Sequence, residues 1–268
     1  MTVDLVYAYA VLRRTPEAGA AVVPLRGVAG EPVHLVDPAT TASQLAFAVG
    51  HVPAADYDEA TLQDHDLDRL EATVRSHHAV VGALAASGAA VLPLRLATVY
   101  PDEDAARQAL DTRRAYFLSL LDRLTGHVEL GVKLYATPDV TPPETDTDGE
   151  NGPEPAPGLG RAHLMIRRRR QRRNQDAWRT VVQAAAHLTA TAGALSVDRV
   201  TNTPERGGLA GSAPGTNLGN DAYLVPRDRV DAFRTGVLAA AEGIPGLRVE
   251  VSGPWAPYSF ALQPEPAP

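Results

Sequence analysis

HVELGVKLYATPDVTPPETDTDGENGPEPAPGLG, His127 to Gly160, changes character part-way, and that change decides how the chain is organised. From His127 to Ala136 the apolar residues Val128, Leu130, Val132 and Leu134 alternate with others. Successive side chains of a strand point to opposite faces, so this is a strand with one buried side. From Pro138 to Gly160 the chain holds Pro, Gly, Thr and acidic residues, with almost nothing to bury. A segment that cannot offset its ordering entropy by burial reads as a linker. The expected division is therefore an N-terminal α+β domain over 1–137, an acidic linker over 138–160 and a C-terminal domain over 161–268. A chain of 268 residues accommodates two domains of roughly 110 to 140 residues each.

Outward from that segment, the N-terminal side shows strands and then helices. Asp4 to Leu12 alternates weakly and is rich in Val and Tyr, and Pro32 to Val36 and Gln44 to Val49 are short strands. From Asp66 the spacing of Leu67, Leu70, Val74, Val81 and Leu84 becomes helical and runs to Gly88. Ala90 to Tyr100 reads as a buried strand broken by Pro93, and Asp102 to Leu124 as a second helix stopped by Gly126. On the C-terminal side a long helix runs from about Arg161 to Thr191. A strand over Leu195 to Val200, a loop over Pro204 to Gly219 and a strand over Asp221 to Val225 follow. A helix over Arg227 to Glu242 and a strand over Leu247 to Ser252 complete it. Helices and short strands without a regular strand–helix repeat indicate α+β, with a small mixed sheet and two helices in the first domain. No repeat at solenoid spacing is present.

Composition excludes several functions. With no cysteine, disulfides, thiol catalysis and thiolate metal sites are impossible. The opening MTVDLVYAYAVLRR lacks a basic region and a cleavage site, so it reads as a strand rather than a signal peptide. No apolar run approaches the roughly 18 residues that span a bilayer, and a cytoplasmic, membrane-free protein is expected. The net charge of −7 argues against general nucleic-acid binding. Of 25 basic residues only Lys133 is a lysine.

Chemistry-bearing motifs are weak. RRRRQRR, Arg167 to Arg173, is either a basic patch or a solvated helix face paired with acids such as Asp139, Glu144, Asp146, Asp148, Glu150 and Glu154. Such surface pairs contribute only ~0–1 kcal/mol each. No aromatic residue interleaves with the arginines to stack on bases. Asp64-His65-Asp66 is a helix cap or a metal ligand set. His77 and His78 are about 100° apart on their helix, so packing or hydrogen bonding suits them better than chelating one ion. No HExxH and no GxSxG occurs, and the glycine-rich Gly207 to Gly219 lacks the Lys-Ser or Lys-Thr of a phosphate loop. Neither catalytic residues nor a metal or cofactor are expected.

Six strings, in order along the chain, resemble the GvpF/GvpL family of gas vesicle proteins. They are Val6-Tyr7-Ala8-Tyr9, Ser76-His77-His78-Ala79-Val80-Val81 and Ala90 to Val99 (similar to VLPLRFGTVF, with Leu96 and Ala97 in place of Phe-Gly). The others are Glu129-Leu130-Gly131-Val132-Lys133, Gly160-Arg161-Ala162-His163-Leu164 and Gly253 to Phe260 (close to GPWPPYSF, with Ala256 for a proline). The resemblance implies a second domain with a modified ferredoxin-like fold and a part in building gas vesicles. It also implies contact with the small, very hydrophobic shell protein GvpA and with other Gvp proteins, and association with the vesicle. It brings no catalytic residues.

The candidate interface residues are Arg95 and Lys133 as a charged rim on strands, Arg167 and Arg170 in the basic run, and Trp255, Tyr258 and Phe260 in the aromatic tail. For the tail the other reading is a segment that closes the core of the second domain. The competing function is a small-ligand-binding or enzymatic protein on a ferredoxin-like scaffold, a fold that hosts many activities.

Overall fold

The computed structural model describes residues 4–39, 44–57, 67–143, 159–203 and 215–261, with 159–164 as backbone only. Asp64-His65-Asp66 and the linker acids from Glu144 to Glu154 lie outside the described residues. Contacts group residues 1–129 with 254–268, and 130–253 separately. This corrects the expected boundaries in two ways. Segment 138–160 connects a strand to a helix within the second unit, and the tail belongs to the first. The described beginning of segment 138–160 is anchored in the second unit, since Val140 is buried with Ala136 and Val181.

The first unit contains β1 (Asp4–Arg13), α1 (Pro16–Val22), β2 (His34–Val36), β3 (Leu45–Pro53), α2 (Leu67–Ala86), β4 (Val91–Pro93) and β5 (Val99–Tyr100), then α3 (Glu103–Thr112) and α4 (Arg114–Leu124). Its sheet has the order β2-β3-β1-β4 with β5 also on β1, and every one of these pairings except that of β2 runs through β1. All are antiparallel. Two features exceed the sequence reading. Thr15 caps the short α1, its hydroxyl accepting the Ala18 N–H at 3.2 Å, with Pro16 at the first turn. The helix expected over Asp102 to Leu124 divides at Arg113, whose φ of −103° and ψ of 16° leave the helical region.

β1 is buried along seven consecutive residues, Val6 to Leu12. Its register against β3 shifts between Ala8 and Ala10, a bulge that reverses which face later residues take. Tyr7 and Tyr9 therefore share a face with Ala10 and Leu12, against Ala18 and Val22 of α1 and Val80, Val81 and Leu84 of α2. Val11 lies opposite Phe47 of β3, whose ring meets Phe117 of α4 at 5.9 Å. Helices thus cover both faces of the central strands, which is why alternation in Asp4 to Leu12 is weak.

The second unit contains β6 (His127–Ala136) from Leu130 on, α5 (Leu159–Ala194), β7 (Asp198–Thr201), β8 (Thr216–Pro226), α6 (Val230–Ala241) and β9 (Leu247–Trp255) as far as Gly253, ordered β7-β8-β6-β9. The β-α-β-β-α-β succession with this order is the expected ferredoxin-like arrangement. β6 alternates buried and half-buried residues from Val128 to Leu134. Its buried face packs with Ala185, Leu188 and Ala192 of α5 and Phe233 and Val237 of α6. Residues 216–219, expected in a loop, begin β8.

Candidate interaction surfaces

The tail, the β4–β5 turn and α2 converge in the first unit on a cluster of aromatic polar side chains. Tyr7 Oη accepts the Ala97 N–H at 3.1 Å and donates to His77 Nδ1 at 3.0 Å. An Nδ1 that accepts leaves the proton of a neutral imidazole on Nε2. Nε2 is buried with no acceptor in good hydrogen-bond geometry among the described residues, and the Leu94 backbone offers only a weak pull toward the protonated form. Burial, then the nearby His78, push the His77 pKa down to about 4. His77 is thus a packed, hydrogen-bonded core histidine. Tyr9 Oη accepts the Val28 N–H at 2.8 Å, and burial raises its pKa to about 12.

Over this cluster lies the tail, ending in the one-turn helix α7 (Tyr258–Ala261). The Tyr258 ring meets His78 edge-on at 4.8 Å. Burial, then Tyr7 and Glu129, raise the Tyr258 pKa. Glu129 holds the tail with both oxygens: Oε2 accepts the Ser259 N–H and Oε1 the Ser259 hydroxyl, each at 2.8 Å. Burial raises the Glu129 pKa in spite of these bonds. Ala256 is buried in the first unit's core and Phe260 is fully buried. The tail therefore closes the first unit, not the second as expected, and Phe260 presents no ring to a partner. Tyr258 is half-buried. Trp255 is 57% exposed.

Arg95 is exposed, but it stands in the turn after β4 rather than on a strand. Its carbonyl accepts the Thr98 N–H at 3.2 Å and the Thr98 hydroxyl at 2.8 Å. Leu96 beside it is partly exposed, and Ala97 has φ of +60°. Lys133 lies half-buried in β6.

On α5, Val181, Leu188 and Ala192 are buried, and Asn174 is tied to Thr141 by bonds to its carbonyl at 3.1 Å and its hydroxyl at 3.0 Å. Every described residue before it on the helix, from Met165 to Arg173, is exposed. That stretch holds Arg167, Arg170 and four further arginines together with Met165 and Ile166, which are 71% and 67% exposed. No helix among the described residues is long and apolar enough to cross a membrane.

Three side chains passed over in the sequence also meet: His34 of β2, His51 of β3 and Glu103 of α3. No local spacing announces them, since His34 and Glu103 stand 69 positions apart.

The family model for gas vesicle synthesis proteins GvpL/GvpF matches residues 5–262. The chain belongs to the GvpL/GvpF family. It is similar to gas vesicle protein L of Streptomyces sp. strain CB03234, at 38% identity over 259 residues that cover 96% of this chain and 92% of the relative. Gas vesicle protein F of the same strain is 30% identical over 195 residues, 68% of this chain and 75% of that one. The GvpL/GvpF fold is matched by the crystal structure of GvpF from Anabaena, with a TM-score of 0.65 at 17% identity over 98% of each chain. Membership carries a gas vesicle-related role.

Proposed function

We propose that this GvpL/GvpF protein serves gas vesicle assembly as a binding protein, contacting GvpA and other Gvp proteins without catalysing a reaction, in the cytoplasm and at the vesicle. The observation that carries the reading is the exposed stretch of α5 from Met165 to Arg173. It sets six arginines beside two bare apolar side chains in a chain of net charge −7. Large exposed apolar groups rimmed by charge are a feature of protein-binding surfaces, and Arg and Trp are favoured anchors. Trp255 and the Arg95–Leu96 turn offer further contacts, with Lys133 and Tyr258 as lesser ones.

The test is co-expression with tagged GvpA followed by capture. The wild-type chain is expected to be retained, and Arg167→Glu/Arg170→Glu and Trp255→Ala to reduce retention several-fold. Equal capture of both variants would remove these contact regions, and absence of capture for the wild type would remove GvpA as the partner.

A further inference from the structure

We propose that His34, His51 and Glu103 form a binding site for a divalent transition-metal ion such as zinc. The inference is independent of the family assignment and rests on where the first unit's sheet and α3 put three ligand atoms. β2 and β3 are paired so that His34 stands opposite Val49. His51 lies two residues further along β3 and thus on the same face. The two imidazoles stack with centroids 5.5 Å apart and planes 22° from parallel. Glu103 is the first residue of α3, whose start is fixed by Asp102 accepting the Ala105 N–H at 2.8 Å.

Glu103 Oε1 lies 2.9 Å from His34 Nε2 and 3.8 Å from His51 Nε2. All three ligand atoms fall within 4.8 Å of one another. Around tetrahedral zinc, with bonds of about 2.0–2.2 Å, ligand atoms stand roughly 3.3 Å apart. Side-chain rotations of about 1 Å convert the present arrangement into that one. An ion at His34 Nε2 would take the place of the present contact with Glu103 Oε1, the neutral imidazole then carrying its proton on Nδ1. Arg107 bonds the other oxygen, Oε2, at 2.6 Å and Asp104 at 2.8 Å, which aims Oε1 at the imidazoles as outer-shell partners of metal sites do. Its positive charge also weakens the pull on a cation, so micromolar rather than nanomolar affinity is expected.

The donor set chooses the ion. Two imidazoles and one carboxylate suit zinc, cobalt, nickel or copper(II), whereas magnesium and calcium take oxygen ligands and copper(I) takes sulfur. The three side chains are 30–47% exposed, so the remaining coordination position is open to water.

The experiment is calorimetric titration of the chelator-stripped full chain with zinc chloride at pH 7.5. About one equivalent is expected. His51→Ala and Glu103→Gln should each weaken binding at least tenfold with unchanged circular dichroism, while His187→Ala binds like the wild type. With cobalt, the wild type should show visible absorption of a four-coordinate ion that His51→Ala lacks. Absence of saturable uptake, or His51→Ala binding as tightly as the wild type, overturns the proposal.

Discussion

Ala97 occupies backbone space that favours glycine, with φ of +60°. A side chain in the left-handed region costs about 1–2 kcal/mol, and glycine's greater unfolded-state freedom returns roughly half of that. Ala97→Gly should therefore raise stability by about 0.5–1 kcal/mol, read as a higher denaturant midpoint. A lower midpoint would refute the strain. The sequence marked this place, since glycine stands there in the family string, but showed no cause. His77 offers a sharper signal. Its pKa falls from 6.5 to about 4 on folding, so below pH 6.5 the unfolded chain binds the proton first. The stability it lends is complete above pH 6.5 and is lost as pH falls toward 4. Between pH 7 and pH 5 this loss should reach about 2 kcal/mol. It should be missing from His77→Gln in denaturant melts at the two pH values; identical slopes would show that another group is responsible. The sequence placed His77 beside a buried stripe, yet its bond to Tyr7, 70 positions away, is a tertiary fact that no spacing encodes.

Among the elements, the tail is held to the first unit by the two bonds from Ser259 to Glu129. Bonds to a charged acceptor contribute about 1.5–3 kcal/mol each when it is removed. Glu129→Ala should loosen the tail locally, so that chymotrypsin cuts after Tyr258 or Phe260 several-fold faster while the rest of the chain resists. An unchanged cleavage rate would mean that Phe260 and Ala256 hold the tail unaided. The strings around Glu129 and Ser259 were both legible in the sequence, and their partnership was not. The same holds for other elements. β6 follows its apolar period. α2 follows its own only toward its C-terminal half, where Val81 and Leu84 are buried, while Leu67 and Leu70 stay exposed, and Gly88 bounds it in the left-handed region. The bulge in β1 hid a strand buried on both faces behind weak alternation. The break at Arg113 was invisible because residues on both sides favour helix.

Across the whole molecule, both units run through β-α-β-β-α-β with matching strand orders, β2-β3-β1-β4 and β7-β8-β6-β9. The second was expected as ferredoxin-like. The first was obscured by its α1 of only seven residues, too short for a periodic signal, and by the two added helices α3 and α4. Of the candidate surfaces, the arginine run could be read directly because charge clusters are local. The His34, His51 and Glu103 group could not, because it is assembled by strand register. The division of the chain carries its own test. A version stopped after Gly253 lacks Ala256, Tyr258 and Phe260 and should bare the Tyr7–His77 cluster. Such a chain should bind a hydrophobic dye and melt several degrees lower, and an unaltered melt would show that the first unit needs no closing segment.

Because residues 254–261 complete a unit begun at the N-terminus, the ribosome delivers the last piece of the earliest structure only after all of 130–253 has emerged. The inserted unit can settle during synthesis. Its host stays open until then, exposing sticky surface for most of translation and making prompt release of the nascent chain a condition of clean folding.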